Sequence, residues 1–235
     1  MLIRDKGTFA KGALLLVTFL VILVLTFMPL FNGHNALEAA DNLFNSIAKG
    51  STYYIKDLVK KNEAFKGNVI DVSIKLKDQN IATQADKILS AAGAKVTVSG
   101  TDLKVNADLG TTIAASLADS DAMFHNKTAE LQQKYGFSGK EALYAWWNAY
   151  KEMDKDLKRQ KKFKEAAFVG DVIKKGVEVG YNFVGIQPES AASKMGILSF
   201  SLVFYVIYTL WWGIAILLLF EGIGLEMKAG AKKEV

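Results

Sequence analysis

An imidazole is the side chain whose ordinary pKa lies nearest neutrality, so the histidines are the first place to look for chemistry. His34 and His125 stand 91 residues apart, and neither has a Glu or second His at metal-ligand spacing. Each reads as a surface or loop residue. Asp119 and Asp121 resemble a carboxylate pair, but residues two apart on a helix point in different directions, so a shared acid/base site is not expected. Asn126-Lys127-Thr128 fits a glycosylation acceptor, a short pattern that also arises by chance. Gly222-Ile223-Gly224 lacks the preceding strand and the remaining glycine of a dinucleotide fingerprint. The chain has no cysteine, which removes disulfides, thiolate metal sites and thiol catalysis. No catalytic residue, metal ligand or cofactor follows from these patterns.

Two further clusters suggest binding. Lys158, Arg159, Lys161, Lys162 and Lys164 could touch anionic headgroups or an acidic partner, although Asp154, Asp156 and Glu165 partly neutralise them and a solvated helix face has the same composition. Trp146, Trp147 and Tyr150 could line a groove, but core packing accounts for at least one of the two tryptophans more simply.

The strongest pattern lies in an apolar segment near the C-terminus. Ser201, Tyr205, Tyr208 and Trp212 recur at spacings of four, three and four, which places them on one helical face, with Thr209 adjacent. Trp211 and Trp212 fall within roughly 5 Å of the segment's midpoint at ~1.5 Å per residue, whereas interfacial tryptophans sit at the ends of a span. Hydroxyls at membrane depth need partners, so this face is expected to meet another helix. Thr18 and Thr26 are intramolecular candidates for that meeting.

What must position these residues is a pair of apolar segments around a polar middle. No Asp, Glu, Lys or Arg occurs from Gly12 to Leu37 or from Met195 to Phe220. Residues 12–31 and 197–220 are each long enough to cross a hydrocarbon core of ~30 Å. The first run exceeds the usual apolar stretch of a signal peptide, and no small-x-small site follows it, so it is expected to remain as an anchor. Arg4, Lys6 and Lys11 precede the first segment, and Lys228, Lys232 and Lys233 follow the second, while only Lys49 and Lys194 lie close on the other side. Both termini are therefore expected in the cytoplasm, in an inner membrane, with the middle periplasmic or extracellular.

The expected division is a tail over 1–11, a span over 12–31 and membrane-proximal helices over 32–67. An exported α+β domain with a long helical insertion follows over 68–185, then a linker over 186–196, a span over 197–220 and a tail over 221–235. Over residues 32–194 there are 23 Lys plus Arg and 20 Asp plus Glu, a net +3 that gives no reason to expect nucleic acid.

Within the middle, Asn35 to Glu38 signals a helix start, with Gly50 as a stop, and Ser51 is a candidate cap for a second helix ending by Gly67. Tyr53 and Tyr54 suit either a headgroup level or packing. The period then changes from 3.6 to 2: Ile70, Val72, Ile74 and Leu76 alternate with Asp71, Ser73, Lys75 and Lys77. A helix over 81–92 stops at Gly93, and Val96 and Val98 pair with Val105 and Leu103 across a tight turn at Gly100-Thr101. Helices follow from Thr111, with a capping box at Ser138 to Glu141. Val177, Val179, Tyr181 and Phe183 alternate as a last strand. Strand, helix, strand, strand, helices, strand is the split βαβ order of ferredoxin-like sheets, with first and last strands side by side; a mostly helical stalk with a small hairpin is the alternative.

The expected role is a non-catalytic accessory or scaffold subunit of a larger transport or respiratory membrane complex. Its expected partners are membrane lipid and other integral subunits or copies of itself, and tails of about a dozen residues leave no room for an output domain. One alternative is a membrane-anchored ligand-binding or sensor module acting through a separate cytoplasmic partner. A second is an oligomeric organiser of envelope polymer export.

Overall fold

The computed structural model describes residues 3–225. Lys228, Lys232 and Lys233 of the orientation pattern lie outside the described residues. The chain divides into two compact units, one from the residues up to Ile47 together with those from Glu189 onward, the other Ala48–Pro188.

The first unit is built on two long apolar helices, α1 (Lys6–Phe27) and α10 (Met195–Gly222). Asp5 starts α1 by accepting the Gly7 and Thr8 amides at 2.9 and 3.2 Å. The helix ends at Phe27, four residues short of the expected boundary, because the residue before Pro29 is held in an extended conformation. The two helices form an antiparallel hairpin, with the amides of Arg4 and Asp5 donating to the Gly222 carbonyl at 2.9 and 3.0 Å. A Cβ at Gly12 would come within 2.8 Å of the Leu219 nitrogen, and one at Gly222 within 2.6 Å of Phe9. Small residues thus set the approach of the two backbones.

Helix α2 (Ala36–Ser51) opens with the expected reciprocal cap: Asn35 Oδ1 accepts the Glu38 amide, and Glu38 Oε2 accepts that of Asn35. In the second unit, α3 (Ile55–Asn62) and a 3₁₀ turn lead into strand β1 (Val69–Lys75), α4 (Gln79–Ala91), β2 (Lys95–Ser99) and β3 (Asp102–Asp108). Ser51 closes α2 rather than capping α3, which starts after Tyr54. The sheet order is β1-β3-β2 and every pairing is antiparallel. Ser99 pairs with Asp102 around Gly100, whose φ of +61° supplies the left-handed corner that the two-residue turn requires. Ile70, Val72 and Ile74 with Leu103, Val105 and Ala107 make the buried face, as the alternation requires.

Helices complete this unit: α5 (Leu109–Phe124), α6 (Thr128–Tyr135), α7 (Gly139–Arg159), α8 (Phe163–Val172) and α9 (Glu178–Asn182), with a π-helical turn Ile173–Val177 joining the last two. The capping box is present at Ser138 and Glu141. The expected last strand is absent, because residues 177–182 are helical. Its apparent alternation hid the glycines, which are the packing positions: a Cβ on Gly176 would meet Leu117 at 2.9 Å, and one on Gly180 the Ser120 carbonyl at 2.7 Å. Buried Val172, Ile173, Gly176, Val177 and Gly180 follow helical spacing once glycine is counted as a core residue.

The ferredoxin-like order therefore fails at its fourth strand, and the domain is helical with a three-stranded antiparallel sheet. What stands beside β1 is α7. Asp156 Oδ2 accepts the Ser73 amide at 2.9 Å and Gln160 Nε2 donates to the Asp71 carbonyl at 2.7 Å, so side chains satisfy the strand edge that a neighbouring strand would have taken.

Candidate functional site

The two aspartates separate as their spacing requires. Asp119 points inward, its side chain 4% exposed, and accepts Tyr135 Oη at 2.5 Å, Trp146 Nε1 at 2.8 Å and Lys134 Nζ at 2.8 Å. Three donors from α6 and α7 thus converge on one carboxylate of α5. Tyr150 Oη lies 2.8 Å from Ser116 Oγ on the same helix. Burial, with the Asp119 carboxylate second, holds the Tyr135 hydroxyl far above the usual phenol range; burial does the same for Tyr150. This cluster is satisfied and sealed, so its chemistry is structural. Trp146 and Tyr150 belong to it and line no groove.

Asp121 faces the other way, toward the hydroxyl of Tyr53 and the ring of His125. Burial, reinforced by the hydrogen bond to Asp121, pushes the Tyr53 pKa up to about 12. Tyr53 packs on Phe124, so it is a domain residue, while Tyr54 is exposed. His34 approaches Glu38 at 3.3 Å in the other unit. Among the described residues no cluster of His, Asp and Glu could hold a metal ion.

Beside Tyr53 lies a contact that sequence spacing did not reveal. The Lys49 ammonium, at the point where the chain enters the domain, donates to the carbonyls of Phe183 and Ile186 at 2.9 and 2.6 Å and lies 3.4 Å from Asn126 Oδ1. It also sits 4.9 Å over the Phe124 ring. Burial lowers its pKa. Asn126 completes the latch: its Oδ1 accepts the Gly185 amide at 2.6 Å and its Nδ2 donates to the Ile186 carbonyl at 3.2 Å. Entry and exit of the domain are thereby tied together through one lysine and one asparagine. The Asn126 amide is committed to this latch in the folded chain, so it is not presented as a free glycosylation acceptor. An asparagine just past a helical run is the signal that could have marked it, since asparagine tolerates the left-handed φ of +63° it adopts there.

Trp147 does line a groove, of about 290 Å³, together with Tyr144 from α7 and Glu178, Tyr181 and Asn182 from α9. Trp147 Nε1 donates to Glu178 Oε1 at 2.9 Å, and the Tyr144 and Trp147 rings are parallel within 12° with centroids 6.0 Å apart. Lys151 lies 4.1 Å over the Trp147 ring. Glu178 follows directly on the π-helical turn, and such turns recur at functional sites. Parallel rings with a carboxylate and an amide at the rim can stack and hydrogen-bond a small polar ligand.

In the hairpin, the four residues of the α10 face divide. Tyr208 Oη donates to the Phe19 carbonyl at 3.1 Å, its ring stacks on Phe19 at 4.1 Å, and Trp212 meets the same ring at 4.9 Å. Trp211 Nε1 donates to the Leu15 carbonyl at 3.1 Å. Ser201 instead bonds the Ile197 carbonyl of its own helix, and Tyr205 is 67% exposed with no partner for its hydroxyl among the described residues. Thr18 and Thr26 bond their own helix at Leu14, Leu15 and Leu23 and do not bridge to α10.

In the basic stretch, Lys158 pairs with Asp154 at 2.6 Å and Arg159 with Asp156 at 2.7 Å. Lys161, Lys162 and Lys164 have no ion pair among the described residues. A comparison of the chain with protein-family models, with curated proteins and with solved structures finds no match.

Proposed function

We propose that the chain is a two-span membrane subunit that serves as a scaffold, holding the domain Ala48–Pro188 on the non-cytoplasmic side and docking into a larger assembly through α10. The observation that carries this reading is how the hairpin spends its surface. Tyr208, Trp211 and Trp212 turn toward α1, while Leu14, Val17, Val21, Phe200, Leu202 and Tyr205 are left facing outward. Core helices of a water-soluble fold bury most of such surface, and these two helices do not. A lipid bilayer accepts the leucines and valines. Tyr205, its backbone about 5 Å from the midpoint of α10 along the axis, is the exception, and its hydroxyl favours a polar partner on a neighbouring helix.

One such hydrogen bond contributes about 0.6 to 2 kcal/mol, so Tyr205→Phe alone can be silent. The stronger test is Tyr205→Leu with Ser201→Leu in the full chain, leaving Tyr208 to hold the hairpin. Affinity purification from membranes with quantitative mass spectrometry is expected to show loss of the integral partners of the wild type. Retention of every partner would remove the support for docking through this face.

The Tyr144, Trp147 and Tyr181 groove favours a second reading, a ligand-binding module. A small polar ligand that raises the melting temperature of the full chain, and fails to do so for Trp147→Ala, would put that reading ahead.

A further inference from the structure

We propose that the turn between α7 and α8, residues 159–164, is an interfacial element that lays Phe163 into an anionic lipid surface with Lys161, Lys162 and Lys164 against its headgroups. The proposal stands apart from the two-span reading, since it concerns the domain's own surface.

Helix ends within the domain supply the first observation. At the end of α4 the amides of Gly93 and Ala94 return to the carbonyls of Ser90 and Leu89, and Gly93 has φ +86°. The same pair of returning bonds closes α5 at Asn126 and Lys127, and α7 at Lys161 and Lys162. This closure places the first residue past the helix in the left-handed region, where glycine is conformationally cheapest. Glycine is used after α4 and after α6, where Gly136 has φ +76°. Asparagine and lysine replace it at 126 and 161, with φ +63° and +61°. Asn126 justifies its place inside the domain by the latch. The Lys161 side chain makes no hydrogen bond, ion pair or ring contact among the described residues, so its ammonium is free to meet a partner outside the fold.

The second observation is Phe163. It is 63% exposed at the first position of α8, whereas the next phenylalanine, Phe168, stacks on Phe65 at 4.4 Å in the core. Lys161, Lys162 and Lys164 surround it in sequence. Of the acids nearest in sequence, Asp154 pairs with Lys158 and Asp156 with Arg159, while Glu165, hydrogen-bonded to Asn68 Nδ2 at 3.0 Å, offsets part of the charge of Lys162 and Lys164 and leaves Lys161 unmatched. The turn therefore presents a net cationic rim, three lysines against one carboxylate, around an apolar tip. A soluble polyanion would use the rim alone, while a bilayer interface uses both the rim and the ring. The continuous helical run over 163–182 separates this turn from the latch at the domain exit by about 30 Å, so it sits at the opposite end from both chain crossings.

The full chain, held in nanodiscs of phosphatidylcholine, would be mixed with sucrose-loaded vesicles of phosphatidylcholine alone or with about a third phosphatidylglycerol, and sedimented. Incorporation into the discs reports on the apolar helices and co-sedimentation on the turn, so the two readings fail separately. Binding is expected to the anionic vesicles only and to weaken with salt. Lys161→Gln with Lys162→Gln should reduce it roughly tenfold or more, and Phe163→Ser by about tenfold. Lys161→Gly separates a binding role from a folding one: it should raise the melting temperature while weakening vesicle binding. A lowered melting temperature for Lys161→Gly, equal binding to neutral vesicles, or wild-type binding by Phe163→Ser would each overturn the proposal. Capture of the chain by immobilised dextran sulfate that resists competition by anionic vesicles would also overturn it, in favour of a charge-only polyanion site.

Discussion

Asp119 shows how little of a residue's role is visible in its type. A carboxylate two positions from another carboxylate invites a reading as acid and base, yet its oxygens are filled by Tyr135, Trp146 and Lys134. Removing the charge while keeping the shape leaves an amide facing donors, and breaking a buried charged contact costs about 3 to 5 kcal/mol. Asp119→Asn should lower stability by that order in urea unfolding followed through tryptophan fluorescence. Tyr53 carries a pH signature of the same kind. Its folded pKa of about 12 lies above the ordinary phenol value of 10.0, so its neutral form is favoured by folding. The associated stability is fully present below pH 10 and lost as pH rises through 12. Tyr53→Phe should flatten that alkaline loss, read as the melting temperature against pH. Neither role was legible from spacing, because each depends on which helices converge, and Lys49 looked like any lysine near a helix end.

At the scale of elements, periodicity served where one face of a segment is bulky and the other polar. Strand β1 and the β2–β3 hairpin with its turn at Gly100 follow from alternation and turn chemistry, and the Ser138 capping box from a local motif. The failure at 177–183 has a specific cause: Gly176 and Gly180 lie against α5, and hydrophobic patterning counts glycine as nothing. Gly180→Ala tests the helical account directly, since its Cβ would meet backbone and could not be relieved by a side-chain rotation. It should cost roughly 1 to 3 kcal/mol, whereas Gly170→Ala, with nothing within 4 Å of the added carbon, should be neutral or stabilising. Thermal unfolding of the two variants side by side makes the comparison.

For the whole molecule, the hairpin bears on one part of topology and the lysines on another. Since the Arg4 and Asp5 amides bond the Gly222 carbonyl, the start of α1 and the end of α10 are adjacent. If the helices span a membrane, the side that this end of the hairpin faces is expected from Lys and Arg alone, because cytoplasmic flanks carry the excess. The chain lacks cysteine, so single cysteines report without background. In intact cells an impermeant maleimide should label Ser99→Cys in the domain, and label Thr8→Cys and Ala231→Cys only after permeabilisation; Ala231 lies outside the described residues. Labelling of Thr8→Cys and Ala231→Cys together in intact cells would invert the orientation but keep the hairpin. Labelling of only one of them would break the hairpin itself. Gly12→Leu then connects topology to packing: it drives a side chain into the Leu219 backbone, so the helices should splay while both still insert, because leucine favours the membrane. The labelling pattern should therefore survive Gly12→Leu, while the fluorescence of Trp211, whose indole donates to the Leu15 carbonyl across the seam, should shift from that of the parent hairpin.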